Sequence, residues 1–387
     1  MTPSPQAGTA WVFGMGGFAL ASWMSRVPDV REALGLTPGE LGILLLAISA
    51  GSLIGLPLAG RVTQAVDAGR AVQLGFVVGI PGLVLAAAAV HAGLPFAWVM
   101  PGLFLFGLGF GVWDVAQNLE GVAVERVVRR AIMPLFHAAF SAGTVLGALV
   151  GAGLTALDVP VLAHLGAVAV LTVVLALYGT AGFVPAVEPA PDARAGRTAS
   201  AWTEPRTLLI GVMVLAAGFT EGTANDWLAV AFVDGHGLGN ALGVLALALF
   251  LTAMTVGRIV GTVLLDRHGR VPVLAALFVA ALVGCLLAVF GTPWLAFVGA
   301  VVWGLGASLG FPVGMSAAAD DPARAPARIA VVSTIGYTAF LAGPPLLGFL
   351  GDHVGVLRAL LAVGVVSVAA LLVLPAARPL PTASDRD

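Results

Sequence analysis

Residues 272–291 read PVLAALFVAALVGCLLAVFG, twenty positions without a charged side chain, bounded by Arg270 before and Pro293 after. A helix rises 1.5 Å per residue, so about 20 mostly apolar residues cross a hydrocarbon core about 30 Å thick. Working outward from this stretch, similar ones lie at 9–27, 39–61, 71–91, 95–120, 132–156, 160–184, 206–232, 239–265, 293–318, 328–351 and 355–375. Together the twelve account for nearly all of the 387 residues, and the short loops between them hold nearly every charge. Hydrophobic residues make up 59% of the chain, charged residues 10%, and the mean hydropathy is +1.03. A soluble domain carries about 25% charged residues. The expectation is an all-α integral membrane protein of twelve transmembrane helices, with the lipid bilayer as its solvent.

Composition excludes several function classes. The net charge of −2 argues against a nucleic-acid partner gathered on a basic face. A lone cysteine, Cys285, gives no disulfide and no metal cluster. No Walker sequence is present, and no His, Cys or carboxylate group has metal-ligand spacing. Gly14-Met15-Gly16-Gly17 lacks the strand-and-helix context of a dinucleotide loop and reads as helix packing. The expectation is therefore no enzyme and no cofactor. The first residues carry no basic segment or cleavage site, so the first stretch is expected to be a retained helix. The 51 glycines suit helices that must approach closely in a membrane.

Orientation follows from arginine, the only basic residue type among the 18. With both termini inside, the cytoplasmic segments hold fourteen arginines, from Arg61 and Arg70 to Arg378 and Arg386. The outer loops hold Arg26, Arg31 and Arg358, and Arg258 is left inside the eighth stretch. The positive-inside rule then predicts cytoplasmic termini. Residues 185–205, PAVEPAPDARAGRTASAWTEP, lack an apolar period and read as a cytoplasmic linker. This divides the chain into a six-helix bundle at 1–184 and a second at 206–387 with a short cytoplasmic tail. Phe106-Gly107-Leu108-Gly109 in the fourth stretch recurs as Trp303-Gly304-Leu305-Gly306 in the tenth, and Gly69-Arg70 recurs as Gly269-Arg270. Such parallel repeats are an architecture of secondary transporters.

After the eighth stretch the chain reads Gly261-Thr262-Val263-Leu264-Leu265-Asp266-Arg267-His268-Gly269-Arg270. This resembles the G-x-x-x-D-R-x-G-R signature of the major facilitator superfamily, with one extra residue before the acid. The first-half copy keeps only Asp67-Ala68-Gly69-Arg70. Short segments are also similar to the fucose-permease-like branch of that superfamily, in bacterial permeases of unassigned substrate: 22–28 (SWMSRVP), 113–118 (WDVAQN), 136–141 (FHAAFS) and 221–227 (EGTANDW). The fifth stretch has Ser141, Gly143, Gly147 and Gly151 but not the proline of the drug-antiporter run, and this small-residue stripe is expected to mark a close helix crossing. The resemblance implies the major facilitator fold, two pseudo-symmetric bundles, and a cytoplasmic gate at Asp67, Arg70, Asp266, Arg267 and Arg270. There Asp266 would accept from an arginine and from backbone N–H groups, a latch broken when the halves rock.

A charge at mid-bilayer costs about 2.5–3.5 kcal/mol, so the few present are the candidate functional groups. Asp114 and Asn118 lie one turn apart in the fourth stretch with Gln117 beside them, and His137 lies in the fifth. Both Asp114 and His137 fall roughly 8–9 Å inside the inner boundary, so an Asp114–His137 hydrogen bond is expected if their faces meet. Glu221 is near the middle of the seventh stretch, with Asn225 on the same face and Trp227 on the face of Thr220 and Thr223. Asp114, His137 and Glu221 are the candidates for proton coupling. Asn118, Gln117, Glu221, Asn225, Trp227 and Tyr337 are the candidates for substrate contact. Arg258 is expected to snorkel or to pair with Asp266 or Asp320.

The resemblance implies a secondary active transporter of the bacterial inner membrane, moving a small polar, sugar-like solute by proton symport and working as a monomer. Proton-antiport efflux of a drug or natural product, and a non-transporting receptor or scaffold, are the alternatives.

Overall fold

The computed structural model describes residues 2–130, 132–184, 201–321 and 324–380. Most of the expected linker, with Arg194 and Arg197, lies outside the described residues, as does Arg386. All regular elements among the described residues are helical. They are α1 (Pro5–Met24), α2 (Val27–Leu34), α3 (Pro38–Val66), α4 (Ala68–His91), α5 (Phe96–Val128), α6 (Met133–Ala156) and α7 (Val161–Thr180). The second half supplies α8 (Pro205–His236), α9 (Asn240–His268), α10 (Arg270–Phe290), α11 (Pro293–Ala307), α12 (Gly310–Ala318), α13 (Ala325–Val354), α14 (Val356–Ala359) and α15 (Leu361–Val373). Eleven helical segments are long and apolar enough to cross a membrane, counting α11 with α12, and α14 with α15, as single spans. The remaining expected span is α1, 20 residues long. Its Thr9 and Ser22 are fully buried, so they face neighbouring helices and not lipid.

Helix ends obey local chemistry. Ser4 accepts the Ala7 N–H before Pro5 starts α1. Thr37 and Glu40 form a capping box at the start of α3. Asp67 takes the left-handed region (φ 79°) and accepts the Arg70 N–H at 2.8 Å, ending α3 and capping α4 in a single residue.

By internal contacts the chain forms two compact units. The first comprises Met1–Glu188 with Ala229–Ala248 and Pro344–Val356. The second comprises Pro189–Leu228, Leu249–Gly343 and Leu357–Asp387. The first unit thus takes in the ends of α8 and α13 and the start of α9, the parts facing away from the arginine-rich loops. The division in α13 falls at Pro344-Pro345, where two missing N–H groups interrupt the helix ladder. Beyond it the backbone reaches α3 directly: a Cβ on Gly42 would lie 2.6 Å from the Pro344 oxygen.

The repeated tetrads have the same job in each unit. In α5, a Cβ on Gly107 would lie 2.0 Å from the Ile48 oxygen of α3, and one on Gly109 would lie 2.2 Å from the Gly75 oxygen of α4. In α11, a Cβ on Gly304 would lie 2.3 Å from the Phe250 oxygen of α9, and one on Gly306 would lie 2.3 Å from the Ala281 nitrogen of α10. One glycine of each tetrad lets in the second helix of its half, and the other lets in the third. The stripe of α6 is indeed a close crossing, since a Cβ on Gly143 would lie 2.0 Å from the Gly14 oxygen of α1.

Candidate functional site

In the first unit the polar face of α5 is self-contained. Gln117 Nε2 donates to Asp114 Oδ1 at 3.0 Å. Asn118 Nδ2 donates to the Asp114 carbonyl at 2.7 Å and lies 3.5 Å from Oδ1. No arginine pairs with Asp114 among the described residues. Its carboxylate therefore rests on carboxamides of its own helix, and the expected bond from His137 is not the contact that holds it. The His137 side chain is exposed, and its ring meets Phe13 of α1 edge-on at 5.4 Å. The reason is helix rotation: Phe136, the neighbour of His137, is the side chain that α6 buries, stacked on Phe13 at 5.7 Å. Gln117 and Trp113 are almost fully buried, and Gln117 Oε1 and Trp113 Nε1 have no partner among the described residues. Both flank Gly16 of α1, whose Cβ would stand 3.8 Å from Gln117 Oε1 and 3.7 Å from Trp113 Cζ2.

In the second unit Glu221 is an ion-paired carboxylate. Arg258 Nη2 lies 3.1 Å from each of its oxygens. The expected partners of Arg258, Asp266 and Asp320, are not the ones it takes. Its Nε also donates to the Ser308 carbonyl at 3.3 Å. That carbonyl is free for a local reason: Pro312, four residues on, has no N–H to return, and the tenth span breaks there into α11 and α12. Thr220 satisfies its hydroxyl on the Ala216 carbonyl at 2.7 Å. Thr223 Oγ1, Asn225 Oδ1 and Trp227 Nε1 are buried without partners among the described residues, and Trp227 is wholly enclosed. Tyr337 is part-exposed, its ring 6.0 Å from Phe311 and 6.4 Å from Phe340.

The inner loops pair differently from the signature-based expectation. Arg270 Nη1 lies 2.6 Å from Asp320 Oδ1, and Arg206 Nη2 lies 2.7 Å from its Oδ2. Asp320, at the end of the tenth span, is the acid that gathers these arginines. Asp266 and Arg267 are exposed and form no ion pair among the described residues. Among the described residues Asp67 and Arg70 pair only with each other, Oδ2 to Nε at 3.7 Å. Glu204 binds Arg328 at 2.7 Å and Arg324 at 2.9 Å. Burial pushes the Glu204 carboxyl up, but hydrogen bonds from Arg328 and Thr207 and the charges of Arg328 and Arg324 outweigh it and hold it below the ordinary value.

Two buried polar contacts were not legible in the sequence. Glu120 is buried and accepts the Val184 N–H at 2.7 Å. Glu120 is the last residue of the apolar stretch 95–120, where it reads as a boundary charge, whereas α5 runs on to Val128; its seven-residue spacing from Trp113 is the signal that places both on one face. The other is Arg26, 2% exposed, whose Nε donates to His164 Nδ1 at 2.8 Å and whose Nη1 meets Asp29 at 2.6 Å. A cavity of about 1010 Å³ lies beside it, lined among others by Asp29, Arg31, Glu32, Asp158, Asp234 and Asn240.

Known proteins share both sequence and fold with this chain. The model of the Major Facilitator Superfamily matches residues 214–386. An uncharacterized MFS-type transporter of Yersinia pestis is 31% identical over 359 residues, covering 90% of this chain and 89% of that one. An uncharacterized transporter of Sinorhizobium fredii is 33% identical over 352 residues, covering 90% and 92%. Among solved structures, a variant of the nucleoside transporter NupG superposes with a TM-score of 0.77 at 15% identity, covering 95% of this chain and 98% of that one. The E. coli fucose:proton symporter FucP superposes at 0.67 and 16% identity, covering 97% and 99%. With whole-length relatives above 30% identity and the same twelve-span fold, the chain belongs to the major facilitator superfamily, as a multi-pass membrane transporter of small molecules and not an enzyme.

Proposed function

We propose that this transporter is a proton symporter of a small polar, sugar-like solute, working as a monomer in the bacterial inner membrane with both termini cytoplasmic. The carrying observation is the contrast between two of the carboxylates within its spans, Asp114 and Glu221. Glu221 is charge-balanced by Arg258, whereas among the described residues the Asp114 carboxylate is met by the amides of Gln117 and Asn118 and by no cation. A proton can neutralise Asp114 without stranding a cation, so Asp114 is the proton site, with His137 as a second titrating group nearby in sequence depth. Glu221, with Asn225 and Trp227, belongs to the substrate side. The unpartnered donor at Trp113 Nε1 and acceptor at Gln117 Oε1 suit a hydroxyl, which offers one of each. Tyr337 and Asn118 complete the proposed contacts. Coupling then requires that proton and solute favour the same state, a linkage that is reciprocal.

The test is transport by the purified protein in liposomes, over a panel of labelled sugars and nucleosides. An inward proton gradient should concentrate at least one of them, and a protonophore should abolish the accumulation. Accumulation indifferent to the gradient would rule out proton coupling. The inner gate has Asp67, Arg70, Asp266, Arg267 and Arg270 as its moving loops, with Asp320 as the acid that holds Arg270. The fourteen-to-three arginine bias supports the orientation. Single cysteines at 201–204 should label only from the cytoplasmic side and those at 235–240 only from outside. Labelling of both from one side would refute it.

A further inference from the structure

The short helix α2 carries a set of contacts that nothing in the transport reading above uses. Asp29 divides its two oxygens between two tasks. Oδ2 is tied to the first half of the chain, by Arg26 Nη1 at 2.6 Å and Thr155 Oγ1 at 3.0 Å. Arg26 is in turn held by His164 of α7, so the base of this arrangement is buried and cross-braced. Oδ1 instead accepts from Asn240 Nδ2 at 2.8 Å, and Asn240 is the first residue of α9 in the second half. The same amide nitrogen gives its other hydrogen to Glu32 Oε2, also at 2.8 Å. One turn away Arg31 pairs with Asp234, at the end of α8. Past the end of α2, Asp352 near the end of α13 accepts the Gly39 N–H at 3.0 Å.

We propose that α2 is the fixed plate of an outer gate, with Asp29, Glu32 and Arg31 as a releasable latch that holds the α8–α9 corner through Asp234 and Asn240. Three features support a latch over permanent cement. The partners that belong to the second half are single side chains at helix ends, not interdigitated apolar rows. The groups they would leave behind border a cavity of about 1010 Å³, so released carboxylates and Arg31 would be rehydrated and not stranded. The anchored side is buried, whereas the Arg31–Asp234 pair keeps 21% and 29% of its side-chain surface, open to screening by salt. An alternating-access carrier must break whatever closes its outer side, and α2 concentrates the charged side-chain contacts in one place.

The inference rests on membership of the transporter superfamily and not on the solute or the proton site, so it stands or falls separately from them. The test uses the full-length protein in liposomes, with Cys285 replaced by alanine and spin labels at the exposed positions Ala33 and Leu242. The parent should show a dominant short distance. Arg31→Asp, which sets like charges against Asp234, should raise the long-distance fraction several-fold, and Asn240→Ala should shift it the same way. The double variant Arg31→Asp/Asp234→Arg should return the distribution toward the parent, which a purely structural defect would not do. High salt should act like a weak version of the single variants. Distributions unchanged in Arg31→Asp and Asn240→Ala, or a double variant no closer to the parent than either single swap, would overturn the latch.

Discussion

Asp114→Asn should abolish uphill transport driven by a proton gradient while leaving exchange of solute across the membrane nearly intact. The asymmetry of that outcome comes from what the substitution keeps. Asparagine is nearly isosteric with the protonated acid, and its side-chain oxygen can still accept from Gln117 Nε2, the 3.0 Å contact of the native carboxylate. Helix α5 therefore has no packing reason to move. What disappears is the change between charged and neutral, and with it the proton's ability to bias one state over the other. Concentrative uptake should fall by more than tenfold, to the level of a protonophore-treated control, while counterflow stays within about twofold, as expected when differential binding of one ligand is lost and the other is kept. Proteoliposomes carrying Asp114→Asn and still concentrating solute under a pH gradient would move the proton site elsewhere, with Glu221 next in line.

Arg258→Leu should destabilise the second unit strongly, and a second substitution should largely repair it. Removing the guanidinium strands the Glu221 carboxylate, whose side chain keeps only 19% of its surface, and frees the Ser308 carbonyl that Pro312 already leaves without a helix partner. Breaking a buried pair from one side costs about 3–5 kcal/mol, and the part-exposure of Arg258 places this case at the lower end, about 3 kcal/mol. Glu221→Gln/Arg258→Leu removes both charges and should recover most of that loss. A thermal-shift series on the four purified proteins gives the coupling directly. Additive losses across the cycle would mean that the 3.1 Å geometry contributes nothing to stability. Glu221→Gln alone should also weaken solute binding, which a purely structural ion pair would not.

Twelve spans, the repeat and the small-residue stripe of α6 were legible in the sequence because each is a local or periodic property. Length of an apolar run decides whether a helix can cross a membrane whatever it later touches. Glycine at Gly107, Gly109, Gly304 and Gly306 recurs because two helices must reach the backbone of α5 and of α11, a demand that each position carries by itself. Span ends were less secure, since an amphipathic continuation such as the last turns of α5 can outlast its apolar run, and this concealed Glu120.

Partner choice was not legible. Composition flagged Asp114, Glu221 and Arg258 as costly charges, but only the tertiary structure put Arg258 on Glu221 and both Arg206 and Arg270 on Asp320. An arginine side chain reaches over more than one helical turn, so several acids are within range along the sequence, and helix rotation and crossing select among them. The same rotation buried Phe136 against Phe13, turned His137 aside, and left Asp114 to the amides one turn away. The sequence determined which groups enter the membrane and at what depth, because depth follows from counting residues along a helix. The tertiary structure alone decided which of them meet, because meeting depends on the azimuth of each helix, and that is set by how all of them pack.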